Sequence, residues 1–309
     1  MSTALSLDKV VPIPRAIELH SSHSKNVKFV DGSWFLKGRN GREEFEQGPR
    51  IAGASFFDID DIATKDSGLK HMMPSKELFA SAMDSMGISN EDHLLIYGSK
   101  DCMFVHRSWF QIRNMGHPDN QCHFLGGSIE DWKNEGGPME EEGTKPSNPI
   151  ISATDLDLAK PTKYQAKDPM NILDMEDMKK QIELGDKADY DIVDARSADR
   201  FFGRVEEPRP GMRLGHMPGA KNIFFFDLLN PENPLQFKPK GEMEAVIQSS
   251  GIDVKSNKKV VVSCGSGATA CAVVAALELC GKSPEEVYVY DGSWSEWGAV
   301  PDTPIVKEE

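Results

Sequence analysis

A chain of 309 residues is about twice the length of a typical domain, so two domains are expected, and 39% hydrophobic with 27% charged residues is the balance of a chain that buries a sizeable core. The formal net charge of −14, from 49 acidic and 35 basic residues, repels phosphate backbones and anionic lipid. Nucleic-acid and membrane binding are excluded as roles on that ground, while a local pair of arginines could still receive a small anion. The five cysteines (Cys102, Cys122, Cys264, Cys271, Cys280) form no C-x-x-C pair, which makes neither a disulfide framework nor a zinc site and indicates a reducing compartment. No run of about 18 apolar residues predicts a transmembrane span. The first residues carry Pro12, Pro14 and the mixed charges of Asp8 and Glu18 instead of a signal-peptide core, so the cytoplasm is the expected location, with the mitochondrion as the alternative.

In chain order, residues 1–25 read as an N-terminal extension, and residues 26–137 as a first domain. Within the latter stand Gly53-Ala54-Ser55-Phe56-Phe57-Asp58, the apolar run Leu94-Leu95-Ile96-Tyr97, and Gly126-Gly127-Ser128 with Trp132. Residues 138–168, rich in proline, glycine and acid and without periodicity, read as a linker. Residues 169–309 then repeat the same signals. Gly219-Ala220-Lys221-Asn222-Ile223-Phe224, Val260-Val261-Val262-Ser263, and Asp291-Gly292-Ser293 with Trp297 follow in the same order, each offset by about 165 residues. That is the mark of a duplicated domain. Ile192-Val193 and Val287–Tyr290 read as buried strands, Met243–Ser250 and Thr269–Leu279 as helices, with Gly251 and Gly281 at their C-terminal caps. Strands alternating with helices predict two α/β domains, each a mainly parallel sheet flanked by helices, with ligands gathering at the carboxyl ends of the strands.

The sharpest local signal is the buried strand ending at Ser263, followed at once by Cys264-Gly265-Ser266-Gly267-Ala268-Thr269 and an apolar helix. A short loop of small residues running into a helix N-terminus turns backbone N–H groups toward one point, with the helix dipole behind them. A thiolate at its first position would be stabilised and approachable, which suits nucleophilic attack by sulfur. Cys271 and Cys280 sit among Ala, Val and Leu and read as core; Cys102 and Cys122 have no such context.

These residues, with Asp31-Gly32-Ser33-Trp34, Phe56-Phe57-Asp58-Ile59-Asp60, His71-Met72-Met73-Pro74, Asp194-Ala195-Arg196, Gly215-His216-Met217-Pro218-Gly219-Ala220 and the closing Asp291-Gly292-Ser293-Trp294 with Trp297-Gly298, resemble the tandem-domain rhodanese superfamily from about Val27 to Pro304. Within it the resemblance is to the members that use 3-mercaptopyruvate. It implies two rhodanese-like domains, of which the first is catalytically silent and forms one wall of the cleft: Gly98 stands where the second copy has Cys264. It further implies a sulfurtransferase that carries sulfur as a Cys264 persulfide and needs no cofactor. Arg200 and Arg209 would hold the donor's carboxylate and keto group; Ser266, His71 and Asp60 would form a proton relay; Gly265, Gly267, Ala268 and Thr269 would supply the N–H cradle. Arg196 is expected in a structural ion pair, and Arg213 has no assigned role. The expected acceptor is thioredoxin, glutathione or another small thiol, or cyanide in the test tube, with pyruvate and potentially hydrogen sulfide released.

Three alternatives are weighed against that reading. Thiosulfate-using members place basic side chains in the loop, whereas positions 265–268 here are Gly, Ser, Gly and Ala. A cysteine phosphatase on the same fold would need arginine at position 270, which is Ala270. A non-enzymatic sulfur-relay module would have no use for Arg200, Arg209 and Ser266 together.

Overall fold

The computed structural model describes residues 5–22, 24 and 26–308. The chain divides into two compact units. Among the described residues, one comprises 5–22, 24, 26–63, 74–170 and 232–236; the other comprises 64–73, 171–231 and 237–308.

In the first unit five parallel strands lie in the order Val10–Val11, Cys122–Leu125, His93–Tyr97, Val27–Asp31, Ser55–Phe56. In the second the order is Ile172–Leu173, Val287–Tyr290, Lys259–Ser263, Tyr190–Asp194, Lys221–Asn222, again all parallel. The two orders correspond strand for strand, as tandem rhodanese-like domains require. Central strands of such sheets are covered on both faces and so read as continuous apolar runs, which is why Leu94–Tyr97 and Val260–Val262 are legible in the sequence. The helix Ala270–Leu279 is buried along nearly its whole length, a consequence of its Ala, Val and Leu composition. Gly251 and Gly281 follow their helices at φ 80° and 108°, the left-handed conformation that ends a helix.

Two boundaries differ from expectation. The segment read as an N-terminal extension supplies the edge strand Val10–Val11 and the helix Ile13–Ser21, whose Ile13, Ala16 and Leu19 are buried. Its counterpart in the second unit is Ile172–Leu173 with the helix Met175–Leu184. Two-residue edge strands are too short to show a period. The segment read as a linker pairs Met139–Glu140 antiparallel with Arg50–Ile51 and buries Tyr164 against Phe79. Among the described residues no helix is long and apolar enough to cross a membrane.

The first unit buries four neutral histidines. His93 Nδ1 lies 3.0 Å from His123 Nε2, and His117 is held between Tyr164 Oη and the Asp92 carbonyl, each at 2.9 Å. Burial pushes His106 down to about 3 and His117 to about 4, and lowers His93 and His123 as well. A histidine kept neutral in this way contributes stability that is present above its unfolded value of about 6.5 and lost as pH falls toward its folded value. Asp31, raised by burial to about 6, works in the opposite sense between about 4 and 6. Four groups outweigh one. The melting temperature of the first unit is therefore expected to fall steadily from pH 7 to pH 5 in calorimetry, with net proton uptake on unfolding; a flat or rising trend would contradict this.

Candidate active site

Cys264 follows the central strand of the second sheet directly, at its carboxyl end. Its backbone is fixed by the short helix Ser293–Trp297. Cys264 N–H donates to Ser293 Oγ at 3.1 Å, and Ser293 Oγ–H donates to the Tyr290 carbonyl at 2.8 Å. Trp294 N–H then donates to the Cys264 carbonyl at 3.0 Å, and Ser295 N–H to the Gly265 carbonyl at 2.9 Å. Holding this turn places Ser293 at φ 51°, a conformation costly for a residue with a Cβ and maintained by those bonds. The carbonyls of Cys264 and Gly265 are thus tied down. The loop's N–H groups are not: among the described residues, no protein acceptor takes the backbone N–H of residues 265–269. Gly267 at φ 76° supplies the left-handed turn that leads into the helix, and Thr269 gives the helix no side-chain cap. Unspent donors at a helix N-terminus form an anion cradle. Ser266 is half-buried, and its hydroxyl makes no hydrogen bond among the described residues.

Two guanidinium groups meet this loop. A Cβ added to Gly265 would lie 3.1 Å from Arg200 Nη2 and 3.3 Å from Arg209 Nη1, so both guanidinium groups stand close beside the residue after Cys264. Arg200, on the short helix Ala198–Phe201, is oriented by Glu207 through bonds of 3.1 Å from Nε and 2.6 Å from Nη2. Arg209 makes no ion pair or hydrogen bond among the described residues. Arg196 is fully buried, with Nη2 2.6 Å from Asp194 Oδ2, Nη1 2.9 Å from Glu207 Oε1, and its guanidinium 4.1 Å from the centre of the Trp294 ring. Three guanidinium groups against the carboxylates of Asp194 and Glu207 leave one uncompensated positive charge in this set. A small anion is therefore drawn to this place despite the net charge of −14. Arg213 is a staple for the C-terminal segment, donating to the carbonyls of Trp297, Gly298, Pro301 and Thr303.

His71 lies in the second unit, buried, at φ 62°. Two residues on, Met73 N–H donates to Asp291 Oδ2 at 2.8 Å, which ties this loop to the same turn that carries Ser293. Asp60 stands in the first unit, where its Oδ2 accepts the Trp34 indole N–H at 2.7 Å. All five cysteines are buried, Cys264 at 2% exposure among them, so the thiol that the sequence led one to expect as approachable is covered. Cys271 Sγ donates to the Gly267 carbonyl at 3.2 Å, and burial pushes up the thiols of Cys122 and Cys280.

The first unit repeats the hydrogen bonding but lacks the sulfur. Ile129 N–H donates to the Gly98 carbonyl at 3.0 Å, as Trp294 does to Cys264, so Gly98 occupies the cysteine's place. Cys102 is further into the loop, its thiol raised to about 11 by burial. Glu207 and Ser293 escaped the reading of the sequence. Glu207 could have been suspected from its position in Glu206-Glu207-Pro208-Arg209 between two arginines, whereas no signal marks Ser293 as a backbone clamp.

Comparison with known proteins finds relatives of the whole chain. The rhodanese-like domain family matches residues 174–300. The 3-mercaptopyruvate sulfurtransferase of Rattus norvegicus is 38% identical over 278 residues, covering 89% of this chain and 86% of that protein. The mitochondrial thiosulfate/3-mercaptopyruvate sulfurtransferase 1 of Arabidopsis thaliana is 32% identical over 310 residues, with 96% and 79% covered. Among solved structures, the Tum1 protein of Saccharomyces cerevisiae superposes with a TM-score of 0.80 at 26% identity, covering 98% of this chain and 99% of that one.

Proposed function

Since the chain belongs to the 3-mercaptopyruvate sulfurtransferase family of rhodanese-fold enzymes, we propose that it moves the sulfur of 3-mercaptopyruvate through a persulfide on Cys264 to a thiol acceptor. The observation that carries this reading is the pair of guanidinium groups beside Gly265, next to the thiol and its unspent N–H groups. Arg200 and Arg209 receive the donor's carboxylate and keto oxygen. The Cys264 thiolate attacks the donor sulfur. A sulfur–sulfur bond forms as the carbon–sulfur bond breaks, and its electron pair leaves as the enolate of pyruvate. Ser266, His71 and Asp60, taken from their match to the family motifs, relay the proton from the donor thiol to the enolate carbon. The N–H groups of Gly265, Gly267, Ala268 and Thr269 hold the persulfide anion.

In the second half-reaction a thiol takes the outer sulfur and Cys264 is regenerated. Thioredoxin or glutathione fits this role, and a second thiol then releases hydrogen sulfide as a disulfide forms; cyanide would give thiocyanate. In this reading residues 169–309 are the catalytic domain and carry the nucleophile, residues 26–137 are catalytically silent in that they carry none and only lend Asp60 and His71 to the relay, and the enzyme works in the cytoplasm or, alternatively, the mitochondrion. Thiosulfate is the second candidate donor, favoured by the Arabidopsis relative's dual name.

Steady-state turnover of both donors with cyanide as acceptor decides between them. Mercaptopyruvate should be the faster, and Arg200→Ala should raise its KM roughly 10–100-fold while leaving transfer from the persulfide unchanged. Faster turnover of thiosulfate, or equal effects of Arg200→Ala on both half-reactions, would overturn the proposal.

A further inference from the structure

The first unit copies the second unit's strand ends closely enough to show what has been removed. In the second unit Asp194 Oδ1 accepts the Arg196 backbone N–H at 2.9 Å, and the Arg196 guanidinium folds back onto the same carboxylate and onto Trp294. In the first unit Asp31 Oδ1 accepts the Ser33 backbone N–H at 2.8 Å through the same turn. Ser33 brings no guanidinium, and Ile129 stands in the place of Trp294.

Asp31 is only 6% exposed, and among the described residues no lysine or arginine forms an ion pair with it. Arg39 is committed elsewhere, to Glu44 through bonds of 2.7 and 2.6 Å. The small side chains leave a cavity of about 390 Å³ whose lining includes Asp31, Ser33, Ile129, Arg39, Glu44 and Lys133. That volume lies within the range of small-molecule sites, about 300–1,000 Å³. A buried carboxylate without a counter-ion is costly, and burial raises this one to about 6. A planar guanidinium matches a carboxylate edge better than a compact ammonium does, and the second unit already holds one in the equivalent position. Lys133, exposed and without an ion pair among the described residues, lines the same cavity and offers an ammonium to an anion.

We propose that this cavity binds a small molecule carrying a guanidinium, which Asp31 receives in the place that the Arg196 side chain fills in the second unit, with Lys133 taking a carboxylate at the molecule's far end. The site is independent of the sulfur chemistry.

Titration calorimetry of the full chain with L-arginine as probe tests it. Saturable binding is expected, competed by methylguanidine, weakened about tenfold or more in Asp31→Asn, and lost in Ser33→Arg, which brings its own guanidinium. L-Citrulline, of similar shape but uncharged, should not bind. No saturable binding of L-arginine, equal binding of citrulline, or binding unchanged in the variants would overturn the proposal. Binding of an arginine blocked at both ends as tight as that of the free amino acid would identify a peptide-borne arginine as the occupant and overturn the small-molecule assignment. Should Asp31→Asn fail to fold, the Ser33→Arg and citrulline arms still decide.

Discussion

Replacing Cys264 with serine is expected to lower kcat/KM for sulfur transfer by roughly four orders of magnitude or more, the scale of losing a covalent nucleophile. A hydroxyl in that position cannot form a persulfide, so the loss falls on chemistry and leaves donor binding intact. Arg200 and Arg209 still stand beside Gly265 in the variant. The fold should barely respond, because the loop is held through backbone bonds to Ser293, Trp294 and Ser295 and not through the sulfur. A measured donor dissociation constant close to that of the wild type, with turnover gone, is the expected pattern. Residual turnover within tenfold of the wild type would assign the nucleophile elsewhere.

Replacing Arg196 with alanine should give the largest loss of stability. The Arg196 guanidinium is fully buried between Asp194 and Glu207. Removing it leaves Asp194 buried without a counter-ion and opens a void against Trp294. Breaking a buried pair from one side costs about 3–5 kcal/mol, which for a unit of this size corresponds to a fall in melting temperature of roughly 10 °C. Arg200→Ala is the control. Its side chain is 24% exposed, and it leaves the Asp194–Arg196 pair in place, so its cost should stay near 1 kcal/mol. Equal losses in the two variants would contradict the structural role given to Arg196.

Much of the architecture was legible because its causes are local. Buried parallel strands must be apolar without interruption, so Leu94–Tyr97 and Val260–Val262 stand out; helix ends need left-handed residues, so Gly251 and Gly281 do too. The offset of about 165 residues between matching segments carried the duplication. What could not be read are features set by tertiary contact. Val10–Val11 is a strand only because Phe124 and Leu125 lie beside it. Residues 138–168 look irregular by themselves, yet Glu140 forms an ion pair with the buried Arg50. At the site, Cys264 was marked by its strand and its glycines, and Arg200 and Arg209 by resemblance alone. Ser293 became visible only once its hydroxyl was found on the Cys264 N–H. The cavity at Asp31 is of the same kind: Ser33 and Ile129 are in its lining, which means nothing until the equivalent Arg196 and Trp294 are seen together.

The most direct test of the central claim is intact mass spectrometry after exposing the protein to 3-mercaptopyruvate without an acceptor and removing the small molecules under non-reducing conditions. The persulfide mechanism predicts a gain of one sulfur atom per chain, located on the peptide containing Cys264 and absent from Cys264→Ser. No gain in the wild type, or a gain that persists in Cys264→Ser, would contradict it.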